Sequence, residues 1–331
     1  MLRRYLFTLL TVMVLLFVTA CGGGTPTDTD NDQNANEDVT EESADGGAGP
    51  DETEYPLTVV DVTGTEITIE KEPERIVSTS TSDTEILFAL GLGDKIYGVS
   101  DFDNYPEEAK DKPKMGGVVE PNVEAILEQE PDLVVTGNSI SEEAAQNIRD
   151  LGITLYQTDP KNMEEVFDVI RETGLITNRQ KEAEDVIEEM QSVIDHVKET
   201  VAEVAEEDKK KVYIEYNPGW TVGKGEFMHE LIELAGGINV AGDTEGWIEV
   251  NEEKIIEENP DVIIYAADLV DEETGKQLGE LIKERDGWEE ITAIEEDQMV
   301  PIDEDIMSRN GPRIVEALQQ IAEGIYPELF D

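Results

Sequence analysis

The chain has 331 residues, with 79 acidic and 24 basic side chains and a formal charge of −55. Such a balance repels phosphate backbones and anionic headgroups, which excludes nucleic-acid binding and attachment through a polybasic face. It fits a solvated, self-repelling surface, and a single cysteine, Cys21, excludes an intrachain disulfide framework.

At the N-terminus Arg3 and Arg4 precede an apolar run from Tyr5 to Ala20, which ends at Val18-Thr19-Ala20-Cys21. A charged start, a short apolar stretch and small residues before a cut describe a secretory signal. The run is shorter than the ~20 residues that span hydrocarbon. Val-Thr-Ala-Cys resembles the lipobox of bacterial lipoproteins, which makes residues 1–20 a lipoprotein signal peptide and Cys21 the lipid attachment point. The plainer reading is a secreted protein with a chance cysteine. Residues 21–54 are Gly, Thr, Asp, Asn, Glu and Ala with almost nothing apolar. Such a segment buries too little to offset the entropy of ordering, so it is read as a disordered acidic tether.

The body, 55–331, is long enough for two compact lobes. Leu57 to Ile69 reads as a hairpin about Thr63-Gly64. Then follow a strand at 75–78, a helix at 83–90 closed by Gly91, and a strand at 96–100. A helix at 122–130 is stopped by Pro131, with a strand at 133–135 behind it. A helix at 140–151 ends at Gly152, before a strand at 153–156. Short helices alternating with strands indicate a parallel α/β sheet, here a first lobe over 55–160. Residues 161–207 are read as linking helices. The run 179–206 lacks Gly and Pro, and its apolar residues recur at three- and four-residue steps. As one helix it would extend roughly 40 Å, either a surface helix or a strut between lobes. The second lobe, 208–331, repeats the alternation: strands at 212–216, 262–266 and 299–302, and helices at 226–235, 251–259, 274–284 and 311–324.

The two lobes echo one another. Asn122-Val-Glu-Ala-Ile-Leu-Glu-Gln-Glu-Pro-Asp132 aligns without gaps with Asn251-Glu-Glu-Lys-Ile-Ile-Glu-Glu-Asn-Pro-Asp261. The period is far too long for a solenoid. Two related lobes with a ligand cleft between them is the simpler picture. Glu124 and Glu253 each follow an Asn that can cap the helix, and an acid in a first turn is favoured by the helix dipole alone. The functional reading is that each lobe offers one carboxylate to a basic partner.

The series Arg75-Ile-Val-Ser, Thr84-Glu-Ile-Leu, Gly98-Val-Ser-Asp-Phe-Asp-Asn-Tyr-Pro106, Lys112-Pro-Lys-Met-Gly-Gly117, Glu230-Leu-Ile-Glu-Leu-Ala-Gly-Gly237 and Gly311-Pro-Arg313 resembles the solute-binding proteins of iron-siderophore and vitamin B12 (cobalamin) ABC importers. The resemblance covers nearly all of Tyr55 to Asp331. It implies an α/β fold of two Rossmann-like lobes joined by a single long helix, with limited hinge motion. It also implies that Glu124 and Glu253 dock arginines of the transmembrane permease. In cobalamin-binding members aromatics line the cleft, and the matching positions are Phe102, Trp220 and Trp247, with Asp305 before the last helix. Where cobalamin binders can carry a Trp ahead of the Asn-x-Glu helix, this chain has Val118.

The residues themselves bear on that site. Phe102 and Tyr105 follow a strand end, where α/β clefts form. Trp220 and Trp247 fall in Gly-rich loops, as cleft faces for a corrin ring or aromatic chelate, or as core plugs. Arg309 is either a partner for an anionic chelate or a surface arginine beside Asp305.

No catalytic residue and no metal site is assigned. There are two histidines, and His229-Glu-Leu-Ile-Glu233 lacks the second histidine of the zinc motif. No phosphate loop and no Gly-x-Ser-x-Gly elbow appears. The resulting expectation is a monomeric binding protein, not an enzyme, outside the cytoplasm. It touches the membrane only through its lipid anchor and carries no resident cofactor. It delivers a corrinoid or ferric siderophore to an ABC import permease. The alternatives are a non-transport surface binding or adhesion protein, and a metal-dependent surface enzyme on the same fold.

Overall fold

The computed structural model describes residues 52–271 and 274–330. The signal, Cys21 and most of the acidic tether lie outside the described residues. At the start of what is described, Thr53 is already tied into the body. Its amide donates to Asn178 Oδ1 at 2.9 Å and its hydroxyl to the Leu175 carbonyl at 2.7 Å.

The hairpin pairs β1 (Leu57–Val60) with β2 (Glu66–Ile69) in the antiparallel sense. Asp61 shapes its turn by accepting from the amides of Thr63 and Thr65. The first lobe then sets β3 (Ile76–Ser78), β4 (Ile96–Gly98), β5 (Leu133–Gly137) and β6 (Leu155–Thr158) in a parallel sheet of order β4-β3-β5-β6. Its helices are α1 (Thr81–Ala89), α2 (Val123–Glu128) and α3 (Glu142–Asp150), N-capped by the side chains of Ser80, Asn122 and Ser141.

Successive side chains of a strand face opposite ways, and the core divides accordingly. Ile76 and Val135 face the main hydrophobic cluster, whereas Val77 and Val134 face a smaller one with Ile126 and Ile148. The main cluster continues through α4 (Met163–Thr177) and α5 (Gln180–Val201) into the second lobe. Helix α5 buries Ile187, Met190, Ile194 and Val197 on one stripe, packed between α4 and the last helix. The linking helices thus share one apolar core with both lobes, which favours limited hinge motion.

In the second lobe β7 (Lys211–Glu215), β9 (Ile238–Asn239), β11 (Val262–Ala266) and β12 (Met299–Ile302) form a parallel sheet of order β12-β11-β7-β9. Outside it lies an antiparallel ribbon of β8 (Trp220–Val222) and β10 (Trp247–Glu249). The helices are α6 (Phe227–Leu234), α7 (Glu252–Glu258), α8 (Leu278–Lys283), α9 (Thr292–Glu295), α10 (Glu304–Ser308) and α11 (Ile314–Ile325).

Four readings from sequence are corrected. The long helix ends at Val201 rather than near 206, and at 22 residues it is about 33 Å long. Glu203, Glu206, Glu207 and Asp208 follow, and acids are disfavoured at a helix C-terminus. The helix assigned to 274–284 is confined to Leu278–Lys283. Trp220 and Trp247 lie on paired strands rather than in loops. The short helices α9 and α10 had no counterpart in the sequence reading.

Candidate functional site

The C-terminal edges of both parallel sheets face one another, the place where open α/β sheets bind ligands. At the first lobe's edge, the turns after β3, β5 and β6 bring Ser80, Asp83, Asn138 and Asp159 around a polar hollow of about 190 Å³. Ser308 and Asn310 reach into it from the second lobe. The hollow is smaller than an ordinary ligand pocket and forms a polar floor between the lobes. Half-buried Val118 lies in its wall. Asn310 Nδ2 donates to the Pro160 carbonyl at 2.7 Å, while its buried Oδ1 has no hydrogen-bond partner.

The exposed aromatics lie on the ribbon of the second lobe and on the loop after β4 of the first. Glu215 accepts from the Gly219 amide at 2.8 Å, and Gly219 takes φ of +78°, a left-handed turn that suits glycine. That turn aims the chain into β8, where Trp220 is exposed. Opposite it, β10 carries Trp247, also exposed, with its ring edge-to-face to Tyr216 at 5.9 Å. The ribbon is held close at Gly223, where a β-carbon would overlap the Thr244 carbonyl. Phe102 is 59% exposed, on the loop after β4, and Tyr105 follows it. Neither tryptophan is a core plug. The buried one is Trp288, which sequence reading passed over.

Beside Tyr105 an ion-pair latch joins the lobes. Glu85, on α1, is almost fully buried and faces two arginines of the second lobe. Arg309 Nη1 donates to its Oε1 at 2.8 Å, and Arg313 donates to both oxygens at 2.7 and 2.9 Å. Arg309 also donates to Asn104 Oδ1 at 2.8 Å and Asp305 Oδ1 at 2.5 Å. Asn104 in turn donates to Asp305 Oδ2 at 2.7 Å. The Arg313 guanidinium stacks on the Tyr105 ring at 3.8 Å, a cation–π contact. Arg309 is therefore neither free nor on the surface. It is 5% exposed and its donors are engaged by protein acceptors.

The structure thus brings Phe102, Tyr105, Asp305 and Arg309 into one network; Trp247 packs on Tyr216, which lies near Asp305, and Trp220 is not part of the network. Burial pushes the Tyr216 phenol up, its bond to Ser308 opposing, with Glu304 and Asp305 nearby. Sequence reasoning missed Tyr216, Asn104, Glu85 and Arg313 as site residues. Glu85 and Arg313 were visible inside recognised motifs, but nothing local linked them. Tyr216, at a strand end before Asn-Pro-Gly-Trp, carried the positional signal that Phe102 and Tyr105 carried.

Buried acids surround the floor. Asp83 accepts from the Thr158 hydroxyl at 2.9 and 3.0 Å, and burial pushes its carboxyl up to about 6. Asp103 is held by the amide and hydroxyl of Ser100, and burial raises it too. Glu124 and Glu253 lie elsewhere, exposed on α2 and α7. His229 is buried against Asn239, and His196 is exposed. Among the described residues no group of three or more His, Cys, Asp or Glu is arranged to hold a metal ion, and no helix is long and apolar enough to cross a membrane.

Comparison with known proteins places these features in context. Residues 76–306 match the family model described as periplasmic binding protein. The chain is 35% identical over 283 residues to the uncharacterized ABC transporter substrate-binding lipoprotein YvrC of Bacillus subtilis, covering 83% of this chain and 87% of the relative. It is 28% identical to a cobalamin-binding protein of Halobacterium salinarum, covering 82% and 74%. Among solved structures, a possible iron-binding (periplasmic solute-binding) protein from Staphylococcus epidermidis superposes with a TM-score of 0.68 at 30% identity. That match covers 77% of this chain and all of the other.

Proposed function

This chain belongs to the periplasmic binding protein family, among the substrate-binding proteins of ABC importers, and we propose that its cargo is a cobalamin-type corrinoid. Proteins of this kind bind small molecules outside the cytoplasm and work with a transmembrane permease; they are binding proteins rather than enzymes. We further propose that Cys21 carries the lipid anchor and that Glu124 and Glu253 contact basic residues of the permease.

The observation that carries the ligand reading is the engagement of both cleft arginines by Glu85. An anionic ferric siderophore wants several cationic partners, and here Arg309 and Arg313 are spoken for within a strongly acidic chain. A corrinoid instead asks for flat apolar faces and for groups that answer its amide side chains. Trp220, Trp247, Phe102 and Tyr105 offer the faces. Asn310 Oδ1, buried without a partner, offers an acceptor to an amide donor. The cobalamin-binding relative supports the same choice.

The test is tryptophan fluorescence. Titration with cyanocobalamin should quench emission saturably, and Trp220→Ala with Trp247→Ala should weaken binding about tenfold or more when read by titration calorimetry. Ferric hydroxamates and catecholates should produce little change. Quenching by a ferric siderophore and not by any corrinoid would reverse the assignment. No response to either class would remove it.

A further inference from the structure

The internal repeat holds more than a pair of glutamates. Helices α2 and α7 present the same four-residue face in the same register. Asn122 and Asn251 cap them identically, each side-chain oxygen accepting from the amide three residues on at 3.1 Å. Ile126 and Ile255 point inward, 0% and 3% exposed. The next residue in each is a large aliphatic side chain turned out to water: Leu127 is 46% exposed and Ile256 37%. Each stands one turn beyond a glutamate, Glu124 or Glu253, and positions three apart share a helix face. Among the described residues neither glutamate has an ion-pair or side-chain hydrogen-bond partner. Lys254, the nearest cation in sequence, is taken by Asp243.

Exposed aliphatics at matched places in two related lobes ask for a common explanation, because a scattered surface leucine would not recur in register. Charge decides what covers them. The flanking residues are Glu120, Glu124 and Glu128 in one lobe, and Glu252, Glu253 and Glu257 in the other. The complementary surface is cationic with an apolar centre, and it is present twice.

We infer that Leu127 and Ile256 are paired apolar anchors for the permease, whose two related membrane subunits each seat one of them beside a basic side chain that meets Glu124 or Glu253. This rests on the importer reading above and extends it from charge to packing. The physical reason is magnitude. Exposed ion pairs contribute only about 0.2–1 kcal/mol and are screened by salt. Interface energy concentrates where apolar side chains exclude water around such pairs.

The experiment measures binding of the ligand-loaded protein to the importer's membrane and ATPase subunits in lipid nanodiscs, at about 0.05 M and about 0.5 M salt. Three proteins are compared with wild type: Leu127→Ser with Ile256→Ser, Leu127→Ile with Ile256→Leu, and Glu124→Ala with Glu253→Ala. The serine pair should bind about tenfold or more weakly at both salt concentrations, while cyanocobalamin quenching stays unchanged. The isoleucine–leucine exchange should restore binding. The alanine pair should weaken binding chiefly at low salt. Serine-pair binding within about twofold of wild type overturns the inference while leaving the importer reading standing. So does a serine pair that has also lost cyanocobalamin quenching. A wild-type protein that does not bind the importer removes the importer reading, and the inference with it.

Discussion

Each lobe buries a carboxylate at the cleft-facing edge of its sheet, and the two are held in opposite ways. In the second lobe Glu215, the last residue of β7, is met by Arg285 through two bonds of 2.5 and 2.6 Å, by the Tyr213 hydroxyl at 2.5 Å and by the Gly219 amide. In the first lobe Asp83, equally buried, accepts from the Thr158 hydroxyl, its amide donates to Ser80 Oγ, and among the described residues no cation meets it. A bidentate arginine fixes the carboxylate that it holds and the chain around it. A charge held only by hydroxyls shifts its pKa instead. Glu215 is therefore the rigid footing of the turn that carries Trp220, whereas Asp83 is a titrating group under the floor.

The comparison can be broken from either side. The largest effect is expected for Arg285→Ala, which leaves Glu215 buried and uncompensated. Loss of a buried partner costs about 3–5 kcal/mol, to be read from the denaturation midpoint. A loss below about 1 kcal/mol would mean that Tyr213 and Gly219 suffice.

Asp83→Asn should act in the other direction and depend on pH. The folded-state pKa of Asp83 is near 6, above the ordinary carboxylate value of 3.8. Below the unfolded value both states hold the proton. Between the two values only the folded state does, so Asp83's contribution to stability falls as pH rises through that window and is lost above about 6. The Asn variant should match wild type near pH 4 and be about 1–3 kcal/mol more stable at pH 8. Equal stability at both pH values would mean that burial leaves the Asp83 carboxyl unshifted. The smallest effect is expected for Thr158→Val. Removing that donor disfavours the carboxylate, moves the window upward and costs about 1 kcal/mol at pH 8.

Much of the frame was legible beforehand because it is written in local signals. The α/β alternation, the hairpin, and the caps at Asn122 and Asn251 all follow from periodicity, turn residues and short-range hydrogen bonds. The matched register of α2 and α7 could be read directly by laying one segment on the other. What escaped is non-local. The ribbon pairs Trp247 with Val222, on three-residue strands too short to show alternation and separated by α6 and β9. Arg309 meets Glu85 across 224 residues, and no spacing rule connects them. Arg309 therefore read either as a partner for an anionic chelate or as a surface arginine beside Asp305, whereas it is buried and pairs with both Asp305 and Glu85. The end of α5 at Val201 was obscured by a run without Gly or Pro, in which only charge opposed further helix.

The ribbon has one more consequence. It stands outside the parallel sheet, tied to it through Thr221 on the Ile214 carbonyl and Asn239 on the Val222 carbonyl, and it carries both exposed tryptophans. Trp220 and Trp247 can therefore be replaced at less cost to the ladder from β12 to β9 than Thr221 and Val222, which are buried against it. A gene duplicate could acquire a new cargo through substitutions at Trp220 and Trp247 while keeping its interlobe latch and its outer helices intact.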